Sequence, residues 1–435
     1  MERFGADRDG RDMAELVASL RHCGLKAGLA AVGIGPATPM NATRKVIEER
    51  RAAGLSDGMQ FTYRNPARST NPDQALPGAA ALVVGAWYYG PTEEGAGGAE
   101  AMAAAGGRPR GRVARYARQD HYASLRGALA QVAGTLEAAG WRGRVLADDN
   151  ALVDRAAAEL AGLGWFGKNT NILLPGRGSW FVLGAVVTDA PLAPDLPPTK
   201  GCGPCQQCLR ACPTGALVAP GVLDARKCLA WLLQRPGVFP WEYREALGAR
   251  IYGCDDCQEV CPVNRLALRV GNAARRDAWG AEEAPVNGPE VDAQPGHGAN
   301  QVYAQPEVDV LDMLAATDLE LISRYGRWYI PQRDPRYLRR NALVVLGNTG
   351  VGGLPAVDRV LRLYLAHADE MLRAHAVWAA ARLGRLELIA EIEPAMAADP
   401  SPLVQAEMSR VALVGRRAVD GQPRSLPSRA GTSPG

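Results

Sequence analysis

Over the first 190 residues the apolar positions switch between a helical period and short continuous runs. Residues 12–28 place Leu16, Leu20 and Leu25 on one side of an amphipathic helix, and 29–35 read as a short strand. Residues 45–53 are charged and helical. The apolar runs 79–89 and 180–187 are too short to cross a bilayer and predict buried strands. Between them the pattern predicts a helix over 120–139, a strand over 144–147, a helix over 152–163 and a strand over 171–174. Alternating strands and helices predict an α/β domain for residues 1–190.

The pattern then changes. Residues 191–269 open on a proline-rich linker and hold eight of the nine cysteines. Residues 270–306 lack periodicity and read as a linker or insertion. From 307 to 415 the chain is helical. RRNALVVLGN, RAHAVWAAARLG and VQAEMSRVAL resemble one another at a spacing of about thirty to thirty-five residues, which predicts stacked HEAT-like helix pairs. A plain helical bundle fits the same pattern. Residues 416–435 are polar and rich in Pro, Ser and Gly, the composition of a disordered tail.

The cysteines carry the clearest chemistry. Cys202, Cys205, Cys208 and Cys212 form C-x-x-C-x-x-C-x-x-x-C-P, the spacing of bacterial two-cluster ferredoxins. Cys254, Cys257 and Cys261, followed by Pro262, repeat its last three positions, with Ile251 where a leading cysteine belongs. Cys228 stands between the runs and makes good the shortfall. Two sets of four follow: Cys202, Cys205, Cys208 and Cys261 for one 4Fe-4S cluster, and Cys212, Cys228, Cys254 and Cys257 for the other. Zinc prefers paired C-x-x-C knuckles, which this is not. Disulfides fit poorly with a charged N-terminus, MERFGADRDGRDMAELV, that has no export-signal core. A cytoplasmic protein with no membrane span is expected. Cys23 reads as a core thiol. A net charge of +3 neither demands nor excludes nucleic acid.

Outside the cysteines, Asp148 ends a predicted strand, where sheet proteins place ligands. It serves either as a general acid or base or as an N-cap of the next helix. Asp154 and Arg155 read as an ion pair on that helix. Gly167-Lys168-Asn169-Thr170 resembles the end of a phosphate loop, but the upstream glycines are wrong.

Several longer motifs resemble the cobalamin-dependent epoxyqueuosine reductase family of tRNA queuosine synthesis. Leu163-Gly164-Trp165-Phe166-Gly167-Lys168-Asn169-Thr170 is similar to the family's G-x-G-W/F-x-G-K-N/H-S/T segment. Gly178-Ser179-Trp180-Phe181, Leu223-Asp224-Ala225-Arg226-Lys227-Cys228 and Ile251-Tyr252-Gly253-Cys254-Asp255-Asp256-Cys257 are similar too. The family's Y-A-x-G-x-D-Y-H stands here as Tyr116-Ala117-Arg118-Gln119-Asp120-His121-Tyr122, one residue short. The resemblance implies base-off cobalamin in the N-terminal domain and two 4Fe-4S clusters. It implies reduction of the epoxide on a modified base in the anticodon stem-loop of tRNA. Within Ala147-Asp148-Asp149-Asn150-Ala151-Leu152-Val153-Asp154-Arg155, Asp148 takes the place of the catalytic acid, with Tyr116 the next candidate. Arg68, Asp148, Lys168, Asn169, Ser179 and Asp255 are the implied cofactor contacts. A low-potential electron donor and a monomeric enzyme are expected. Arg336, Arg339 and Arg340 are expected to hold the tRNA. A corrinoid reductive dehalogenase, a plain electron carrier or a protein-binding module are the competing readings.

Overall fold

A computed structural model describes residues 3–91, 107–199, 201–267, 306–397 and 399–419. The 270–306 insertion, apart from Pro306, and the 416–435 tail, beyond 419, lie outside the described residues. Seven strands matter here: β1 (Ala31–Pro36), β2 (Ala81–Tyr88), β3 (Arg110–Val113), β4 (Gly143–Ala147), β5 (Phe181–Thr188), β6 (Arg250–Tyr252) and β7 (Glu307–Asp309). The helices that position them are α1 (Arg3–Lys26), α2 (His121–Ala138) and α3 (Asp154–Leu160) in the first part, then α4 (Gln207–Ala211), α5 (Leu229–Leu232) and α6 (Asp256–Glu259) among the cysteines.

The N-terminal part is mixed α/β, and its sheet runs β1-β2-β5-β4 with every neighbouring pair antiparallel. Side chains alternate across the pleat. Val83 and Val186 meet Leu20, Leu129 and Leu136 of α1 and α2. Leu82, Val84, Ala185 and Val187 meet Ala157 and Ala158 of α3 on the other face. Both faces are covered, which is why β2 and β5 read as unbroken apolar runs. Cys23 is half-buried on α1 against the first of these cores.

A second sheet, β6-β3-β7, draws one strand from each part of the chain. β3 pairs in parallel with β6 and antiparallel with β7. The Ile251 that replaces a cysteine is fully buried in β6. It sits against Gly111, where an added Cβ would come within 2.8 Å of Ile251.

The C-terminal part stacks α7 (Arg336–Thr349), α9 (Glu370–Arg382) and α11 (Pro402–Val419) in one row, with α8 (Pro355–Leu365) and α10 (Leu386–Ala397) packed outside. The row corresponds to the three similar sequence blocks. One hydrophobic core runs from Val113, Leu232, Phe239 and Ile251 through Leu338, Val345 and Trp378.

The three arginines expected to hold RNA are occupied within the protein. Arg340 is fully buried and donates to the carbonyls of Leu232, Leu233, Arg235 and Gly237, closing the end of α5. Burial pushes its guanidinium down to about 9. Arg339 pairs with Asp318 and donates to the Ala316 carbonyl. Arg336 is tied to Asp334 and Asp369. Packing commits Arg340 and Arg339 to the protein interior, whereas Arg336 stays exposed beside its two carboxylates. Arg340→Ala leaves several buried carbonyls unpaired and is expected to cost about 3 kcal/mol or more of stability. Chemical unfolding checks this, and an unchanged midpoint contradicts the role.

Candidate functional site

The cysteine loops lie against the edge of the α/β part and are strapped to it by hydrogen bonds. Lys168 Nζ donates to the carbonyls of Gly203 (2.6 Å) and Cys205 (2.9 Å), so it does not serve as a phosphate-loop lysine. Buried Asn169 donates from Nδ2 to the Cys257 carbonyl at 3.3 Å. The tightest strap is at Ser179. Its N–H donates to Asn264 Oδ1 at 2.6 Å, and its Oγ accepts from Asn264 Nδ2 (3.0 Å) and Gln258 Nε2 (3.1 Å). Gly178 precedes it with φ +79°, and a Cβ there would sit 2.1 Å from Asn264 Oδ1. Only glycine allows the two chains to approach so closely.

All nine cysteines are free thiols. Burial raises Cys208, and after it the neighbouring Cys261, Cys202 and Cys205 do the same. Burial likewise raises Cys257, with Cys254, Cys228 and Cys212 adding to it. Cys254 is pushed up to about 12, chiefly by burial. Cys208 of the first run also raises Cys257, so the two cysteine runs lie near one another. Cys228 reaches its group from the start of α5, and α4 packs on α6 to bring the two runs together. Eight cysteines at this ferredoxin-type spacing suit two iron–sulfur clusters.

Acids and phenols gather around Asp148. Asp148 follows β4 with φ 55°, a left-handed conformation uncommon outside glycine and a marker of functional strain. Neither Asp148 nor Asp149 caps the helix; Asp149 Oδ1 accepts from the Ala151 N–H at 2.8 Å in the turn before it. α3 begins later than expected, at Asp154, with Val153 as its cap residue. The Asp148 side chain reaches solvent, yet the surrounding protein partly desolvates it. That desolvation raises its carboxyl above the usual range. Asp120 and Asp149 add to the rise, and Arg126 opposes it.

Further groups complete the site. Asp255 is buried, accepts from the Arg115 N–H at 2.7 Å, and is raised by burial to about 6. Asp154 is raised well above the carboxylate range by burial, with Asp148 adding to it. Its Oδ1 is buried without a hydrogen-bond partner. The ion pair expected with Arg155 gives way to an Arg155 Nη1 bond to the Thr170 carbonyl at 3.3 Å. Tyr122 is raised by burial and then by Asp154 and Asp148. Tyr252 is raised by burial and by Asp148 among others. Tyr116 accepts from Gln234 Nε2 at 3.1 Å. His121 lies 5.6 Å from Tyr89, ring to ring, and Tyr89 bonds to Gln258 of the cysteine loops.

Not every expected contact joins this site. Arg68 is exposed on the short helix Pro66–Ser69, where its backbone N–H is capped by Asn65. Asp154, Tyr122, Tyr89, Tyr252 and Arg115 were not singled out by sequence as site residues. The available signal was the cluster of Tyr116, His121 and Tyr122 in one altered motif. Three buried polar atoms without partners lie together: Asp255 Oδ1, Arg115 Nε and Trp180 Nε1. Arg115 bonds Asp255 through its backbone and sits 5.6 Å above the Trp180 ring. Such atoms are uncommon unless a ligand answers them. Donors and an acceptor in one place suit an amide-bearing ligand.

Residues 201–264 match the family described as a 4Fe-4S double cluster binding domain. An epoxyqueuosine reductase of Vibrio cholerae is 34% identical over 374 residues, covering 85% of this chain and 92% of that one. One from Xanthomonas campestris is 32% identical over 380 residues, covering 86% of this chain and 98% of that one. A crystal structure of epoxyqueuosine reductase with an epoxyqueuosine-modified tRNA-Tyr stem loop aligns at TM-score 0.75 and 25% identity, covering 93% of this chain and all of that one. The Bacillus subtilis epoxyqueuosine reductase, with its catalytic aspartate loop swung out of the active site, aligns at TM-score 0.76 and 25% identity, covering 92% of this chain and 99% of that one.

The grouping of thiols makes a direct prediction. Anaerobically purified protein is expected to hold about eight irons, and Cys228→Ala about half of them. Iron and sulfide analysis checks it; full iron content in the variant contradicts the assignment of Cys228.

Proposed function

The chain belongs to the epoxyqueuosine reductase family, and we propose that it reduces the epoxide of epoxyqueuosine in the tRNA anticodon stem-loop to the alkene of queuosine, using base-off cobalamin and two 4Fe-4S clusters. The observation that carries this reading is the placement of Asp148. It is a partly desolvated acid with a left-handed backbone, and its charge is felt by Tyr252, two residues before Cys254.

Asp255, Arg115 and Trp180 fit the polar rim of a corrinoid and would hold it through their unpartnered atoms. Lys168, Asn169 and Ser179 would serve the cofactor by fixing the loops that form its wall. Arg68, exposed on its short helix, is the remaining contact proposed. When bound, cobalamin supplies low-potential reducing equivalents at the substrate carbon. A low-potential one-electron donor feeds the clusters, whose ferredoxin-type spacing suits such potentials. Opening the epoxide puts negative charge on oxygen, and Asp148 gives that oxygen a proton. Desolvation keeps the Asp148 proton in place at higher pH than for an ordinary carboxyl.

The helical stack is read as a HEAT-like surface against which the tRNA stem-loop docks. The chain is taken to act as a monomer in the cytoplasm. Among the described residues no helix is long and apolar enough to cross a membrane.

Asp148→Asn is expected to fold, keep its iron and lose turnover on epoxyqueuosine-bearing tRNA by about a hundredfold or more. Asp149→Asn is expected to change turnover far less than Asp148→Asn, since its own carboxylate is engaged by the Ala151 N–H. Normal turnover of Asp148→Asn with full cofactor content overturns the assignment. The donor is active when protonated, so the wild-type rate is expected to fall as pH rises through the Asp148 pKa. Because that pKa is raised, the fall comes at higher pH than for an exposed aspartate.

A further inference from the structure

Electrons for the clusters must enter through a surface that a carrier can reach. We propose that the face formed by residues 201–210 and 260–267 docks a small acidic protein that carries one electron at low potential, with Arg210 and Arg265 as its contacts. The docking rests on the epoxide-reduction reading only for the use made of the electrons.

Charge favours such a partner. No Asp or Glu occurs in residues 160–188, 196–223 or 260–267, which carry Cys202, Cys205, Cys208, Cys212 and Cys261. The acids that bound the middle stretch are already answered, Asp195 by Arg21 at 2.6 Å and Asp224 by Arg226 at 2.8 Å. Asp256 of α6 is paired with Arg250 and Arg112. Glu259, which borders the last stretch, is the exposed carboxylate nearest in sequence, and three cations outweigh it. Lys168 lies across the first cysteine run with Nζ on the carbonyls of Gly203 and Cys205. Arg210 is exposed on α4, two residues after Cys208, and its guanidinium has no partner among the described residues. Arg265 is exposed one turn after Cys261, whose carbonyl accepts from its N–H at 3.1 Å. Its Nε donates to the Glu259 carbonyl at 3.2 Å, and no carboxylate meets it among the described residues.

The two segments share one side of the molecule. Cys202 and Val263 pack on the small core of Trp165, Leu173 and Cys261. Leu266, beside Arg265, is 57% exposed, and Pro204 and Pro262 are exposed as well. A basic face with a small apolar patch steers an acidic protein and suits a brief complex. Redox encounters bury little area, so charge governs how fast they form. An RNA would feel the same charge, but it must bring its base to Asp148, whereas a carrier has only to reach a cysteine loop.

Iron-loaded protein and an acidic flavodoxin in its hydroquinone form test this. Each encounter oxidises one hydroquinone to the semiquinone and reduces one cluster by one electron, and two encounters cover one epoxide. Stopped-flow absorbance follows the clusters, and calorimetry follows binding of the oxidised flavodoxin. Arg210→Glu with Arg265→Glu is expected to lower the second-order rate about tenfold or more, to weaken binding by a similar factor and to flatten the salt dependence of both. Iron content and stem-loop affinity are expected to hold, and reduction by the methyl viologen radical cation is expected not to slow. An unchanged flavodoxin rate and affinity overturns the proposal, as does a wild type that flavodoxin neither binds nor reduces. A loss of stem-loop affinity as large as the loss of flavodoxin affinity gives the face to RNA and also overturns it. Should the double reversal lose iron, Arg210→Gln with Arg265→Gln decides, with a loss of about threefold expected. If flavodoxin reduces the clusters as expected but the wild type makes no alkene, the epoxide-reduction reading fails and the docking site stands.

Discussion

The structure depends on the hydrogen-bond lock between Ser179 and the pair Asn264 and Gln258. It joins the start of β5 to the second cysteine run through buried groups that satisfy one another. Buried polar atoms are costly when unpaired, so this lock has one good arrangement and many poor ones. Gly178 lets the backbones meet, and the lock sets where Cys257 and Cys261 stand relative to Trp180. Shift it, and both the thiol groups and the orphan atoms beside Trp180 move apart.

Desolvation then does most of the chemical tuning. The same burial that raises Cys257 also raises Asp255 and Asp154. For thiols it favours a bound cation over a free thiolate. For carboxyls it favours the proton-carrying form a donor requires.

The helical part is not an appendage. Its core is continuous with that of the cysteine region, and Arg340 reaches across to close α5, the helix that starts at Cys228. Buried Arg244 pairs with Glu407 of α11 at 2.6 Å in the same spirit. The second sheet adds β7 to β3 and β6, so the three parts of the chain share backbone hydrogen bonds. A perturbation in α7 can therefore reach the cysteine loops through packing alone.

Cysteine spacing pointed by itself to two iron–sulfur clusters, and residues 201–264 match a 4Fe-4S double cluster binding domain. Apolar runs and helical periods likewise determined the strands and helices of the first part and the row of similar helices. Long motifs carried the family resemblance and marked Asp148. What only the tertiary structure decided are properties of neighbours distant in sequence. Antiparallel pairing places β5 between β2 and β4. Arg339 and Arg340 become internal ties because carbonyls from other segments meet them. Asp154 loses its expected partner, since Arg155 turns to Thr170, and is left half-buried with Oδ1 unpartnered. Sequence records which groups can ionise; their desolvation is set by what folds over them, and that is a long-range fact.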